Sequence, residues 1–177
     1  MKRICVYCGS SPGQSPKYLK LATATGTLLA ARGLGLVYGG GNLGLMGALA
    51  DAVLAGGGEV LGVIPGFMVE KEQAHQGLTE LRVVHTMSER KVVMAEAADA
   101  FLVLPGGVGT LEELIETLSW AQLGLHKKPI GVVNTDGYYE FLRSLMDRMM
   151  SEGFVPESTR ELIRFGDTPD AVLQQIL

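Results

Sequence analysis

The chain has 177 residues, 47% of them hydrophobic, with a formal net charge of −4 and two cysteines. That length suits a single domain spanning residues 1–177, with ample apolar material for a core. The totals exclude a nucleic-acid binder with a basic stripe, a membrane span of roughly 20 apolar residues and a disulfide framework, and with no signal-peptide-like apolar region behind Met1-Lys2-Arg3 they point to a cytoplasmic enzyme or binding module.

Taken in order, Arg3 to Tyr7 is an apolar run that predicts a first strand. Cys8 to Gly13 is a loop. Ser15-Pro16 predicts an N-cap followed by proline at the first helical position, with the helix stopping near Arg32 at Gly33. Leu34 to Tyr38 predicts a second strand, Leu45 to Ala55 an alanine-rich helix, and Glu59 to Ile64 a third strand closed by Pro65-Gly66. Residues 67–80 lack periodicity and predict an irregular segment. Leu81 to His85 predicts a strand, and Ser88 the cap of a helix running to Ala97. Ala100 to Leu104 predicts a strand, and Leu111 to Leu123 a helix with apolar residues at 111, 114, 115, 118 and 123. Pro129 to Asn134, Tyr138 to Ser151, Glu161 to Phe165 and Pro169 to Ile176 continue the alternation. Short apolar strands alternating with helices predict an α/β, Rossmann-like three-layer fold, with a mostly parallel sheet covered by helices on both faces.

The 24 glycines are about twice the share of roughly 7% usual in soluble domains. They cluster in turns that follow strands, where ligands of such sheets bind. Gly39-x-Gly41-x-x-Gly44 matches the dinucleotide fingerprint, but the next strand ends in Ile64-Pro65. Glu59, the only acid at about the right spacing, falls at that strand's start. The turn therefore reads as a phosphate or nucleotide cradle and not as an NAD site. The chain has no Gly-Lys-Ser/Thr sequence, so a P-loop is excluded.

Cys5-x-x-Cys8 lies inside the first strand and has no second Cys/His pair at zinc spacing, so both cysteines read as buried apolar residues and no metal is expected. His75 and His85 have no partner pattern. His126 is expected at a helix end, where its charge suits the dipole. If Ser88 is the cap, Arg90 and Lys91 occupy a first helical turn, where cations oppose the dipole by about 0.3–1 kcal/mol each. Their placement at a ligand-facing strand end then suggests that they bind a phosphate or a substrate hydroxyl. The stretch from Pro105 to Glu113 joins a strand to a helix through Gly106-Gly107-Val108-Gly109-Thr110, a turn whose amides suit an anion. Thr110-x-x-Glu113 also reads as a capping box, so structure alone would account for Glu113.

Pro105-Gly106-Gly107-Val108-Gly109-Thr110-Leu111-Glu112-Glu113 together with Met87-Ser88-Glu89-Arg90-Lys91 resembles the signature pair of the Lonely Guy (LOG) family. Cys8-Gly9-Ser10-Ser11, Tyr38-Gly39-Gly40-Gly41, Gly44-Leu45-Met46-Gly47, Ile64-Pro65 and Trp120-Ala121-Gln122-Leu123-Gly124 extend the resemblance over nearly the whole chain. Ser88 stands where many members carry histidine. The resemblance implies a cytokinin riboside 5′-monophosphate phosphoribohydrolase. Such an enzyme hydrolyses the N-glycosidic bond of AMP-type nucleotides to free base and ribose 5-phosphate, without cofactor or metal.

Many members of that family carry an old label, lysine decarboxylase. That chemistry needs pyridoxal phosphate on a lysine Schiff base. Apart from Lys91, the lysines fall at the N-terminus, in the first helix, at 71 and at 127–128, none in a cofactor motif. Carried over by position, the resemblance implies Arg90 and Glu113 as the catalytic pair. It implies Lys91, Gly106, Gly107, Val108, Gly109, Thr110 and Glu112 as nucleotide-site residues, Glu72 as a further substrate ligand, and Gly9, Ser10 and Asn42 at the pocket edge. It also implies a homodimer with the site near the interface. The rival expectation from another class is a non-catalytic nucleotide or molybdenum-cofactor carrier, and a further one is a broader nucleotide nucleosidase.

Overall fold

A computed structural model describes residues 1–71 and 73–177. Seven strands form one sheet: β1 (Arg3–Tyr7), β2 (Gly35–Tyr38), β3 (Val60–Pro65), β4 (Glu80–Val84), β5 (Ala100–Val103), β6 (Ile130–Val133) and β7 (Ile163–Gly166). All neighbours are parallel, in the order β4-β3-β2-β1-β5-β6-β7. The sheet is thus wholly parallel where the pattern predicted mostly parallel. The helices are α1 (Pro16–Ala31), α2 (Gly44–Ala55), α3 (Met87–Ala97), α4 (Val108–Gln122), α5 (Glu140–Ser151) and α6 (Pro169–Ile176).

The strand residues alternate between two cores. Ile4 and Val6 of β1 join α1, α2 and α6 on one face, through Leu29, Leu49 and Leu173. Cys5 and Tyr7 join α3, α4 and α5 on the other, through Met94, Leu114 and Met146. Both faces of the sheet's centre are therefore covered, and β2, β3, β5 and β6 read as unbroken apolar runs because neither of their faces meets water, while the edge strand β4 exposes Glu80, Arg82 and Val83. The strand order reverses between β1 and β5. At such a reversal the connections leave in opposite directions and open a crevice beyond the strand carboxyl ends. The loops after β1 and β5 flank it.

Two helix starts differ from expectation. α3 is capped by Thr86, whose hydroxyl accepts from the Glu89 N–H at 3.0 Å, while the Glu89 carboxylate accepts from the His85 N–H at 2.8 Å. Ser88 is inside the helix and exposed. Arg90 therefore sits in the fourth helical position and not at the dipole's positive end, where opposed charge would have acted on it. α4 is capped by Gly107, with no side-chain capping bond. Thr110 is the third helical residue, and Thr110 with Glu113 makes no capping box. His126 lies beyond the end of α4. Its Nδ1 lies 3.1 Å from the Lys128 N–H and its Nε2 2.9 Å from the Thr117 carbonyl.

Candidate active site

The crevice is built from backbone outward. The loop after β1 is tied to the loop after β5 by Gly9 N–H to the Pro105 carbonyl at 3.2 Å, and to α2 by Leu45 N–H to the Gly9 carbonyl at 3.1 Å. Tyr139 and Tyr138 hold the β5 loop from behind. Their hydroxyls donate to the carbonyls of Leu104 at 2.8 Å and Gly106 at 2.7 Å. A side-chain carbon on Gly106 would stand 2.1 Å from the Thr110 hydroxyl and 2.8 Å from the Gly9 nitrogen, so close packing demands glycine there. At Gly107 and Gly109 the same carbon would meet nothing within 4 Å. Packing does not account for those two glycines. Their bareness leaves the wall beside the start of α4 open.

The walls enclose a cavity of about 270 Å³, near the small end of ligand sites, which begin at about 300 Å³. A second cavity of about 270 Å³ adjoins it and shares Gly9, Ser10 and Gly107. Residues 107–110 line the first cavity at the amino end of α4, where Leu111 N–H already closes onto the Gly107 carbonyl at 3.1 Å. The amides before it have no partner within the helix, and the helix dipole adds positive potential at the same place.

Arg90 and Glu113 enter this cavity from different helices, α3 and α4. Arg90 is only 4% exposed. Its Nε donates to the Val63 carbonyl at 3.0 Å, within β3, and its Nη2 to the Gly39 carbonyl at 2.7 Å, just after β2. Nη1 lies 3.8 and 3.9 Å from the sulfurs of Met68 and Met87. Both charges reach the carboxyl end of β1. Burial pushes the Cys5 thiol well above its ordinary range, the Glu113 carboxylate adds to that rise and the Arg90 guanidinium opposes it. Burial and then Glu113 likewise raise Cys8. Both cysteines are buried thiols, as expected.

Gly9, Ser10, Gly107, Val108, Gly109, Thr110, Glu112, Glu113 and Arg90 all border the first cavity, and Gly106 the second. Lys91 and Asn42 are not brought to either. The Lys91 ammonium pairs with Glu112 and, at 2.8 Å, with Glu116, which bolts α3 to α4. Burial alone would lower its pKa, but the two carboxylates outweigh burial and hold it above the ordinary value. Among the described residues no lysine lines the cavity. Asn42 is exposed, and its N–H donates to the Gln73 carbonyl at 3.0 Å. Glu72 lies outside the described residues. The sequence reading missed Met46, Met68, Met87 and Met94, which supply an apolar wall around Arg90. Methionines at helical spacing look like ordinary core, so no sequence signal marks them.

The model of a family described as "possible lysine decarboxylase" matches residues 46–176. A probable cytokinin riboside 5′-monophosphate phosphoribohydrolase of Oryza sativa subsp. japonica is 51% identical over 170 residues, 96% of this chain and 74% of that protein. A cytokinin riboside 5′-monophosphate phosphoribohydrolase of Arabidopsis thaliana is 46% identical over 175 residues, 99% of this chain and 81% of that protein. Among solved structures, the molybdenum cofactor binding protein of Rippkaea orientalis superposes with a TM-score of 0.73 at 20% identity, over 99% of this chain and 96% of that one. The molybdenum cofactor carrier protein of Chlamydomonas reinhardtii gives 0.71 at 20% identity, over 99% and 97%. At that identity the likeness is one of fold alone. High identity along almost the entire chain decides the matter, and the chain belongs to the LOG family of cytokinin riboside 5′-monophosphate phosphoribohydrolases.

Proposed function

We propose that this protein hydrolyses the N-glycosidic bond of AMP-type nucleotides, cytokinin riboside 5′-monophosphates and AMP, releasing the free base and ribose 5-phosphate. The observation that carries the reading is the meeting of Arg90 and Glu113, from two helices, in a cavity that also contains the bare amino end of α4. The relatives' names support the same chemistry. The amides of residues 107–110 receive the 5′-phosphate, which anchors the ribose. Cleavage passes through an oxocarbenium-like ribosyl centre. Glu113 stands against that centre to stabilise its charge, bind the ribose hydroxyls or activate water. Arg90 orients the ribose or offsets charge as the base departs. Residues 1–177 act as one hydrolase domain, and the single continuous sheet supports that reading.

The test is incubation with AMP and with isopentenyladenosine monophosphate, followed by chromatography for free base. Wild type is expected to release base. Glu113→Gln is expected to fold and bind AMP while losing about 10²–10⁴-fold in turnover, as for removal of an acid–base group. Wild-type rates in that variant reject the assignment. AMP binding by wild type without base release would favour a carrier.

The same proposal includes a cytoplasmic homodimer. No described helix is long and apolar enough to cross a membrane. Two free cysteines suit a reducing compartment. Val108, Leu111 and Ile115 are 85%, 39% and 41% exposed on one face of α4. This apolar stripe starts at the cavity rim, since Val108 lines the cavity, and supports a partner placed next to the site.

A further inference from the structure

We propose that Gly39 is a positioning residue for Arg90. The absent side chain at 39 is what lets the arginine fork reach its place, and the turn's backbone does not require it. The inference rests on the assignment of Arg90 to catalysis above. The two adjacent glycines Gly39 and Gly40 differ in what they do. Gly40 has φ +77°, a left-handed conformation that L side chains rarely adopt, so its backbone needs glycine. Gly39 has no such φ, and its backbone is open to any residue. Yet a side-chain carbon there would stand 2.0 Å from Nη2 and 3.1 Å from Cζ of Arg90, and 3.1 Å from the Met46 sulfur. Methionine has the freedom to move aside. The guanidinium is held at two points, with Nε on the Val63 carbonyl at 3.0 Å and Nη2 on the Gly39 carbonyl at 2.7 Å, so it cannot shift away from residue 39 and keep both bonds.

The carbonyls of residues 39 and 63 therefore form a two-point cradle for a planar cation. They fix its angle at the cavity floor without contributing formal charge. A methyl group at 39 leaves the turn's conformation allowed and expels the guanidinium from the cradle. The clash is with the far end of a flexible side chain, so the fold survives while the fork is misaimed. The glycine-rich turn after β2, whose pattern suggests a phosphate cradle, thus holds a cation of the protein itself.

The test compares wild type, Gly39→Ala, Arg90→Lys and the double variant for base release from AMP, with melting temperatures and a crystal structure of Gly39→Ala. Gly39→Ala is expected to melt close to wild type and to lose about 100-fold in kcat, the scale of a misplacement of about 1 Å, with KM little changed. Lysine has no fork to collide with residue 39. Adding Gly39→Ala to Arg90→Lys is therefore expected to cost nothing more, the non-additivity of two residues acting as a unit. Wild-type kcat in Gly39→Ala overturns the inference, as does an additional loss in the double variant. So does a Gly39→Ala structure with the guanidinium still on both carbonyls, whatever the rates. If Gly39→Ala does not fold, Gly39→Ala/Arg90→Ala, which has room for the methyl group, is expected to fold; its failure means that the backbone needs the glycine, and the inference falls. Wild-type turnover in Arg90→Lys and in Arg90→Ala rejects the catalytic reading of Arg90 itself. Loss in those variants with normal Gly39→Ala rejects only the positioning role.

Discussion

Lys91 shows how a residue can belong to a functional motif and act structurally. It adjoins Arg90 in the sequence, yet the helix turns it by one position away from the cavity and onto the carboxylates of Glu112 and Glu116. A group whose pKa is raised on folding stabilises the fold fully below its unfolded value, here 10.5, and that contribution is lost as pH rises through the folded value. Melting temperatures of wild type and Lys91→Met measured from pH 7 upward are therefore expected to differ below pH 10.5 and to converge only as pH rises beyond it, through the raised folded value. A gap that stays constant into strong alkali rejects the pairing as the source. The two motifs nominate Arg90 and Glu113, and the structure brings both to one cavity. The methionine wall around them was not legible in the sequence, because methionine carries no chemistry that distinguishes lining a cavity from filling a core.

The elements themselves were largely predictable, and their starts were the weak point. The sequence pattern placed the cap of α3 at Ser88 and that of α4 at Thr110, whereas the structure has Thr86 and Gly107 there. Local rules favour a hydroxyl and a glutamate three residues on, which both Thr86 and Thr110 satisfy. What decides between candidates is where the preceding strand ends and how far the chain travels before it can turn. For α3 that places Thr86 at the cap. For α4 it places Gly107 there and draws Thr110 into the helix under Gly106. Thr86→Ala is expected to cost about 1 kcal/mol, or about 2–4 °C in Tm for a chain of this size, while Ser88→Ala is expected to be neutral. Thermal denaturation checks both, and equal losses would reject the assignment of the cap. The loss of the capping box also changes the standing of Glu113. Because Thr110 is not the cap of α4, a capping box does not account for the place of Glu113 at the cavity.

At the scale of the whole molecule, the reversal of strand order between β1 and β5 assembles the site. Cys8-Gly9-Ser10, Gly39, Arg90, residues 107–110 and Glu112-Glu113 are far apart in the chain and share one crevice because β2, β1 and β5 lie side by side. The apolar stripe of Val108, Leu111 and Ile115 extends that crevice to the molecular surface. Wild type is expected to sediment as a dimer and Ile115→Asp as a folded monomer, and a monomeric wild type across accessible concentrations would reject the homodimer. Composition and the alternation of short apolar runs with periodic helices were enough to determine a parallel sheet covered on both faces, because a strand buried on two sides must be apolar throughout. The residue types in the two motifs were enough to nominate Arg90 and Glu113. Only the tertiary structure decided that Lys91 faces Glu112 and Glu116, that Thr110 does not cap α4, and that Gly39 faces Arg90. Each of these depends on a distance between segments remote in sequence, and local pattern holds no record of such distances.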